Sequence, residues 1–314
     1  MSRLFDIISA GEMLIDFTPG KEPYTYTANP GGAPANVSVS VARNGLKSGF
    51  LGMMGNDDFG KRLQNTLIEN NVTPLCKKLT EKAVTTLAFV TLYDNGERSF
   101  TFTRKPGADI MISSDDYNAS DIESCKIFNA GSFSLTDDPG RTTYIDAIKK
   151  AAKAGAIISF DINYRDAVWH SEAACLEVIK EILPFVDLLK ISDEELFFTG
   201  GEDNIFSFMK EYNITAVIET LGSCGSKYYF NGNSNVLESM KVNAVDATGA
   251  GDAFWGGFLS SLIMQGVAAP SDINETILEN ALKYGNVSGG LCVTKKGGIP
   301  GIPNKEEILR VLGK

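Results

Sequence analysis

Short apolar runs alternate along the chain with stretches whose apolar residues recur every three or four positions. Runs of the first kind occupy 5–9, 48–53, 127–130, 156–161, 186–190 and 216–220, and their length is that of a strand. Stretches of the second kind, at 34–43, 59–70, 138–154, 171–183 and 205–212, predict amphipathic helices. The order strand, helix, strand, helix predicts an α/β fold with a doubly wound, mostly parallel central sheet flanked by helices. Ligands in such sheets bind at the carboxyl ends of the strands. That rule puts 161–165, 190–195 and 219–222 along one edge.

Two regions break the rhythm. Residues 15–28 and 85–104 alternate apolar with polar positions, and the second contains Asp94-Asn95-Gly96, a strong hairpin turn. They predict a small β-sheet outside the main one, serving either as a lid over the ligand edge, as the contact of a homodimer, or as a plain extension of the sheet. The chain is therefore expected to be one domain over 1–314, with lid strands inserted at about 12–30 and 85–105. Beyond residue 250 the helical pattern returns at 271–291 and 305–312, with an ordered Gly/Pro loop at 297–303 between them.

Composition narrows the partners. A 314-residue chain with 43% hydrophobic residues can build a sizeable core. Its formal charge of −10 argues against nucleic acid or an anionic membrane, both of which need clustered Lys and Arg. An anionic ligand must then be gripped locally. Five cysteines without CxxC spacing suggest reduced thiols, and no run approaches a membrane span or a secretory leader, so a cytoplasmic location is expected. The single histidine, His170, removes HExxH zinc chemistry and leaves a Ser-His-Asp triad without a suitable setting. A general base here is more readily a carboxylate or a lysine.

The segment 245–254 reads Val-Asp-Ala-Thr-Gly-Ala-Gly-Asp-Ala-Phe, a glycine-spaced loop entering an apolar helix. Gly249, Ala250 and Gly251 let backbone N–H groups approach an anion closely at a helix N-terminus. Asp252 at the junction is either a cap for that helix or a base beside the anion cradle. A second small-residue turn, Gly31-Gly32-Ala33-Pro34-Ala35-Asn36, can bring a ligand against backbone, with Asn36 offering a donor and an acceptor. Asp16 interrupts the apolar pattern Leu14-Ile15-Asp16-Phe17. A half-buried acid must be paired or bind something, and carboxylates grip vicinal hydroxyls well. By contrast Gly55 to Arg62 matches G-x-x-x-x-G-K but lacks the Ser or Thr of a P-loop and carries two aspartates, and the first strand ends without a dinucleotide fingerprint.

Taken together, the Gly31 to Asn36 turn and the Asp246 to Asp252 loop resemble the two signatures of the PfkB (ribokinase-like) carbohydrate kinases. The resemblance runs from about Phe5 to Leu312, and the segments 11–17, 31–37, 88–90 and 192–195 are most similar to fructokinases. It implies that Asp252 is the general base that deprotonates a sugar hydroxyl attacking the γ-phosphorus of ATP, with Gly249, Ala250 and Gly251 as anion hole. It implies that Asp16, Gly31, Gly32, Asn36 and Asn163 hold the sugar, while Phe102, Arg104 and Arg165 lie at the lid and edge beside it. It implies an ATP site of Lys190, Ser192, Thr220, Gly222, Gly225 and Asn286. Glu195 matches a residue that organises Mg2+ through water, with Ser192 standing where the motif has Asn. Asp246, Thr248, Cys292, Lys295 and Gly297 match positions that bind K+ in some members, and Gly301 stands where a serine hydroxyl helps elsewhere.

Fructose is the leading substrate on this resemblance. The main alternative is 2-keto-3-deoxygluconate, whose carboxylate Arg104 and Arg165 could pair bidentately. A nucleoside would need an aromatic clamp that the sequence does not display. A non-catalytic sugar-binding homologue would have no need of Asp252.

Overall fold

The computed structural model describes residues 3–92 and 98–313. The strands are β1 (Phe5–Ala10), β2 (Leu14–Pro19), β3 (Tyr26–Gly31), β4 (Ser48–Leu51), β5 (Val72–Pro74), β6 (Leu87–Leu92), β7 (Arg98–Thr103), β8 (Cys125–Gly131), β9 (Ile157–Asp161), β10 (Leu188–Ser192), β11 (Ala216–Thr220), β12 (Ser226–Phe230) and β13 (Asn233–Leu237). The helices are α1 (Ala33–Arg43), α2 (Asp58–Glu69), α3 (Ala119–Ile122), α4 (Gly140–Lys153), α5 (Glu172–Ile182), α6 (Ile205–Tyr212), α7 (Ala250–Met264), α8 (Glu275–Cys292), α9 (Gly298–Gly301) and α10 (Lys305–Val311).

Nine strands form the main sheet in the order β13-β12-β11-β10-β9-β8-β1-β4-β5. All neighbours from β11 to β5 pair in parallel, and β12 and β13 close the other edge as an antiparallel hairpin. The mixed α/β architecture expected from the alternation is therefore present. Strand order reverses between β8 and β1, where a doubly wound sheet opens a crevice at its carboxyl edge. The antiparallel hairpin was not anticipated, although Asn231-Gly232 between its strands, both at positive φ, is a turn signal in its own right. Strand β10 begins two residues later than the apolar run, because a 3-10 turn at Leu183–Phe185 still holds Val186 by its N–H to the Leu183 carbonyl.

One face of the sheet packs on α4 and α5 through residues such as Phe128, Ile148, Phe160 and Ile179. The other packs on α1, α7 and α8 through Val37, Ile127, Trp255 and Leu282. Helix α7 is apolar on nearly every side because it lies between α1 and α8 as well as against the sheet. Close approach requires Gly256 and Gly257, where a Cβ would sit 2.4 Å from Ser40 Cβ and 2.8 Å from Ser288 Cβ. That packing fixes the start of α7 over the carboxyl edge. The indole N–H of buried Trp255 ties it further, reaching Asn129 Oδ1 at 2.9 Å and Ser159 Oγ at 3.0 Å.

A separate four-stranded sheet runs β3-β2-β6-β7, with β2 parallel to β6 and the outer pairs antiparallel. Both alternating segments thus form a small second sheet. The hairpin turn read at Asp94-Asn95-Gly96 lies outside the described residues. The false P-loop also resolves: Asp57 caps α2 by accepting from Gly60 N at 2.8 Å and binds Thr85 N at 2.8 Å, so its carboxylate is a structural cap.

Candidate active site

Two cavities meet at the loop that leads into α7. The first, about 550 Å³, lies between the carboxyl edge of the main sheet and the small sheet, and is lined by Asp16, Gly32, Asn36, Phe102, Asn163, Arg165, Thr248, Gly249 and Asp252 among others. The second, about 510 Å³, lies on the other side and is lined by Thr220, Gly222, Gly225, Ala250, Gly251 and Asn286, with Met240 and Phe254 adding apolar wall. Ala247 borders both. A third cavity, about 520 Å³, opens near Asn213 and Thr215 at the opposite, amino end of β11, away from the motifs.

Asp252 is not the cap of α7. That position is taken by Gly249, whose φ of +75° suits glycine and where a Cβ would lie 2.9 Å from Gly298 Cα. The Asp252 carboxylate instead accepts from Asn36 Nδ2 at 2.7 Å. Burial raises its pKa above the ordinary range, the Asn36 hydrogen bond pulls it back, and nearby Asp161 pushes it up again. A carboxylate so placed is a stronger proton acceptor than an exposed aspartate. Ala250 N–H turns to the Ala247 carbonyl at 3.2 Å, so the first-turn N–H groups of Gly251 and Asp252 are the ones without a partner four residues back in the helix.

Beneath this turn, Lys190 Nζ stands 3.9 Å from where a Cβ on Gly251 would be. It is buried and pairs with Asp161 Oδ2 at 2.8 Å. Burial alone would lower its pKa, but Asp161 and Glu195 hold it above the usual value. Asp161, at the end of β9, was missed as a site residue; its Oδ1 is buried without a partner among the described residues. Glu195 accepts Tyr164 N at 2.6 Å and Ser192 N at 2.8 Å, and Ser192 completes a reciprocal capping box at the 3-10 turn Asp193–Thr199. The Asn286 side chain bonds Ser226 Oγ and the Leu237 carbonyl, both at 2.9 Å, so it braces the second cavity as well as lining it.

On the first cavity's wall, Asp16 extends from β2 toward the Gly31-Gly32 turn. A side chain on Gly31 would put its Cβ 2.0 Å from Asp16 Oδ2, and one on Gly32, at φ +107°, would meet the Glu12 carbonyl oxygen at 2.6 Å. The paired glycines therefore make room for the acid and for the backbone of the β1–β2 connection. Burial raises the Asp16 pKa to about 7, with Asp252 and Asp246 adding to the rise and Arg165 opposing it. Phe102 stacks with Phe100 and meets Phe133 edge-on, forming an aromatic wall.

Arg104 departs from expectation. The motif reading places it beside the ligand, whereas its side chain is 5% exposed and pairs with buried Asp109, Nη2 to Oδ2 at 2.7 Å and Nε to Oδ2 at 3.0 Å. Nη1 donates to Thr136 Oγ1 at 2.8 Å and the guanidinium lies over Phe133. A buried carboxylate demands a partner, and Asp109 uses this one. Arg165 remains on the cavity.

Residues expected around K+ do converge. Asp246 Oδ1 accepts Thr248 N and Oγ1, and Oδ2 accepts Gly297 N at 2.9 Å. Cys292 Sγ lies 3.8 Å from the Thr248 carbonyl. Lys295 turns its side chain to Glu307, so only its backbone faces this loop. His170 is exposed. No group of three or more His, Cys, Asp or Glu side chains suited to a metal occurs among the described residues, and no described helix is long and apolar enough to cross a membrane.

The pfkB family carbohydrate kinase model matches residues 5–305. Fructokinase-1 of Zea mays is 38% identical over 319 residues, covering 98% of both chains. Among solved structures, the fructokinase of Xylella fastidiosa with bound ATP superposes with a TM-score of 0.90 at 30% identity, covering 98% of each chain. A Vibrio cholerae fructokinase double mutant with fructose, ADP and potassium bound gives 0.86 at 31% identity, covering 99% of each.

Proposed function

The chain belongs to the pfkB family of carbohydrate kinases, and on that premise we propose that it is an ATP-dependent fructokinase, converting D-fructose and ATP to fructose 6-phosphate and ADP. The observation that carries this reading is the seat of Asp252 at the meeting of two cavities, with Asn36 bonded to its carboxylate. Fructose occupies the first cavity and ATP the second. Asp16, Asn36, Asn163 and the backbone of Gly31 and Gly32 hold the sugar hydroxyls, and Phe102 and Arg165 close its edge. Thr220, Gly222, Gly225 and Asn286 frame the nucleotide, with Ser192 bracing the adjoining turn.

Asp252 takes the proton of the primary hydroxyl as that oxygen bonds to the γ-phosphorus and the bond to the ADP oxygen breaks. Positioning and charge stabilisation carry most of such a reaction. The N–H groups of Gly249 and Gly251 face the transferring phosphoryl group, Ala250 N–H being turned to the Ala247 carbonyl, and each well-aimed donor is worth about 3 kcal/mol at the transition state. Lys190 adds positive charge from beneath.

The residues suit Mg2+ carried in on ATP. Asp161 Oδ1 lacks a partner among the described residues and Glu195 lies beside it, a donor set for waters of a cation that keeps most of its hydration. When bound, the ion neutralises charge on the β- and γ-phosphates. The 246–248 and 292–297 backbone suits K+, and Gly301, where a Cβ would meet the Cys292 carbonyl oxygen at 2.9 Å, adds no hydroxyl to it. The chain forms a single domain in which the small sheet acts as lid, and exposed Tyr24 and Tyr26 on the β2–β3 arm suit contact with a second copy.

Ketodeoxygluconate is not favoured. Of the two arginines that could pair its carboxylate, Arg104 is spent on Asp109, and the cavity wall carries Asp16, Glu194 and Asp252 against Arg165. Carbon-13 NMR of the product made from labelled fructose and MgATP tests the assignment: a phosphorus-coupled C6 is expected, and a 1-phosphate or no product contradicts it.

A further inference from the structure

Glu12 immediately follows the turn that ends β1, at the switch point of the sheet. Its Oε1 accepts the N–H of Ala33, the first residue of α1, at 2.9 Å. The cap position, Gly32, has no side chain to do this. The two segments interlock further at Gly11, whose φ is +142° and where a Cβ would lie 2.8 Å from Pro34 Cγ. Glu12 thus holds the turn whose next helical turn presents Asn36 to Asp252.

Capping alone does not account for its setting. Glu12 is 4% exposed yet lines the sugar cavity, and below it lines a smaller cavity of about 10 Å³ bordered by Asn129, Asp161 and Asn163. No cation pairs with it among the described residues, and the charges that act on it, Asp109 and Asp252, are both negative. We propose that Glu12 is a further sugar-binding residue, which holds the Gly31-Gly32 turn through Ala33 and donates a hydrogen bond from its carboxyl O–H to a sugar oxygen. The protonated form that this needs is the one its surroundings favour, since burial pushes its pKa up to about 8. With Asp16 accepting hydroxyl protons and Glu12 donating one, the cavity recognises a neutral polyol by both polarities.

The inference rests on the fructokinase reading, and wild-type turnover of fructose checks that reading separately. Other titrating groups surround Glu12: Asp16 on β2, Asp109 paired with Arg104, Tyr144 on α4, Asp161 paired with Lys190, Arg165 and Glu194 at the cavity rim, and Asp252 on α7. They are common to wild type and variant, so the difference between pH profiles isolates Glu12. Glu12→Gln keeps an acceptor for Ala33 and a donor for the sugar. Its fructose KM should stay within about threefold of wild type near pH 7, and the wild-type rise in KM above about pH 8 should vanish. Glu12→Leu should raise KM by at least about tenfold; if it does not fold, the Gln profile alone decides. An alkaline rise in Glu12→Gln identical to that of wild type, or a tenfold loss at neutral pH, would overturn the proposal.

Discussion

Replacing Asp252 by Asn removes a proton acceptor while changing almost nothing else. The amide is isosteric, and its oxygen can go on accepting the Asn36 Nδ2 hydrogen bond now 2.7 Å long, so α7, packed against α1 and α8, has no reason to move. Loss of a positioned general base costs about 10²- to 10⁴-fold in rate, or about 3–5 kcal/mol of barrier. The loss should fall on kcat, because the sugar is held by Asp16 and its neighbours and the proton moves only in the transition state. One further consequence is specific to this site. Asp252 is among the charges that raise Asp16, so removing it should lower the Asp16 pKa and extend tight sugar binding to lower pH. A coupled assay for ADP release, run against fructose concentration at several pH values, reads both effects. Fructose-induced thermal stabilisation checks that binding survives, being worth about 2.7 kcal/mol at a hundredfold excess over Kd. A variant within tenfold of the wild-type kcat would refute the role of Asp252.

Asp16, raised to about 7, protonates as pH falls through neutrality and then loses acceptor capacity, so fructose KM should climb below about pH 7 and a flat KM down to pH 5.5 would refute this. The same sign governs stability: Glu12, Asp16 and Asp252 bind protons more tightly folded than unfolded, so the ligand-free enzyme should lose stability as pH rises between about 4 and 8, as denaturant melts at pH 6 and 8 would show. Gly31→Ala drives a Cβ to 2.0 Å from Asp16 Oδ2; fructose KM should rise by about tenfold or more while melting temperature changes little, and an unchanged KM would show that the turn leaves Asp16 unconstrained. Asp109→Ala leaves Arg104 buried without its partner and should cost about 3–5 kcal/mol of stability, with no gain in turnover of carboxylated sugars; such a gain would mean that Arg104 had swung into the cavity.

The main sheet was legible because buried strands and amphipathic helices leave different periods, and the glycine motifs were legible because close backbone approach admits so few residue types. Asp252 could be located from sequence, but its separation from a capping role needed the cap position of Gly249 and the contact with Asn36, which lies 216 positions away in sequence. Arg104 shows the opposite case. The chemistry that lets an arginine clamp a substrate carboxylate also lets it satisfy a buried aspartate, and only the packing of Asp109 decides between them. Asp161 was placed on the ligand edge without a role and Glu12 was given none, because one ends an apolar strand and the other lies two residues past one, where an acid leaves no pattern; their significance comes from the cavities they border. The β12–β13 hairpin was missed despite Asn231-Gly232, since the exposed outer strand, Asn233–Leu237, carries little apolar alternation.

The most direct measurement is kcat/KM for phosphorylation of fructose, glucose, ribose, ketodeoxygluconate and adenosine by the purified protein with MgATP. With Asp16 and Asn36 on the cavity wall and Arg104 locked to Asp109, fructose should stand first and the carboxylated sugar well below it. Equal or better turnover of ketodeoxygluconate would contradict the account.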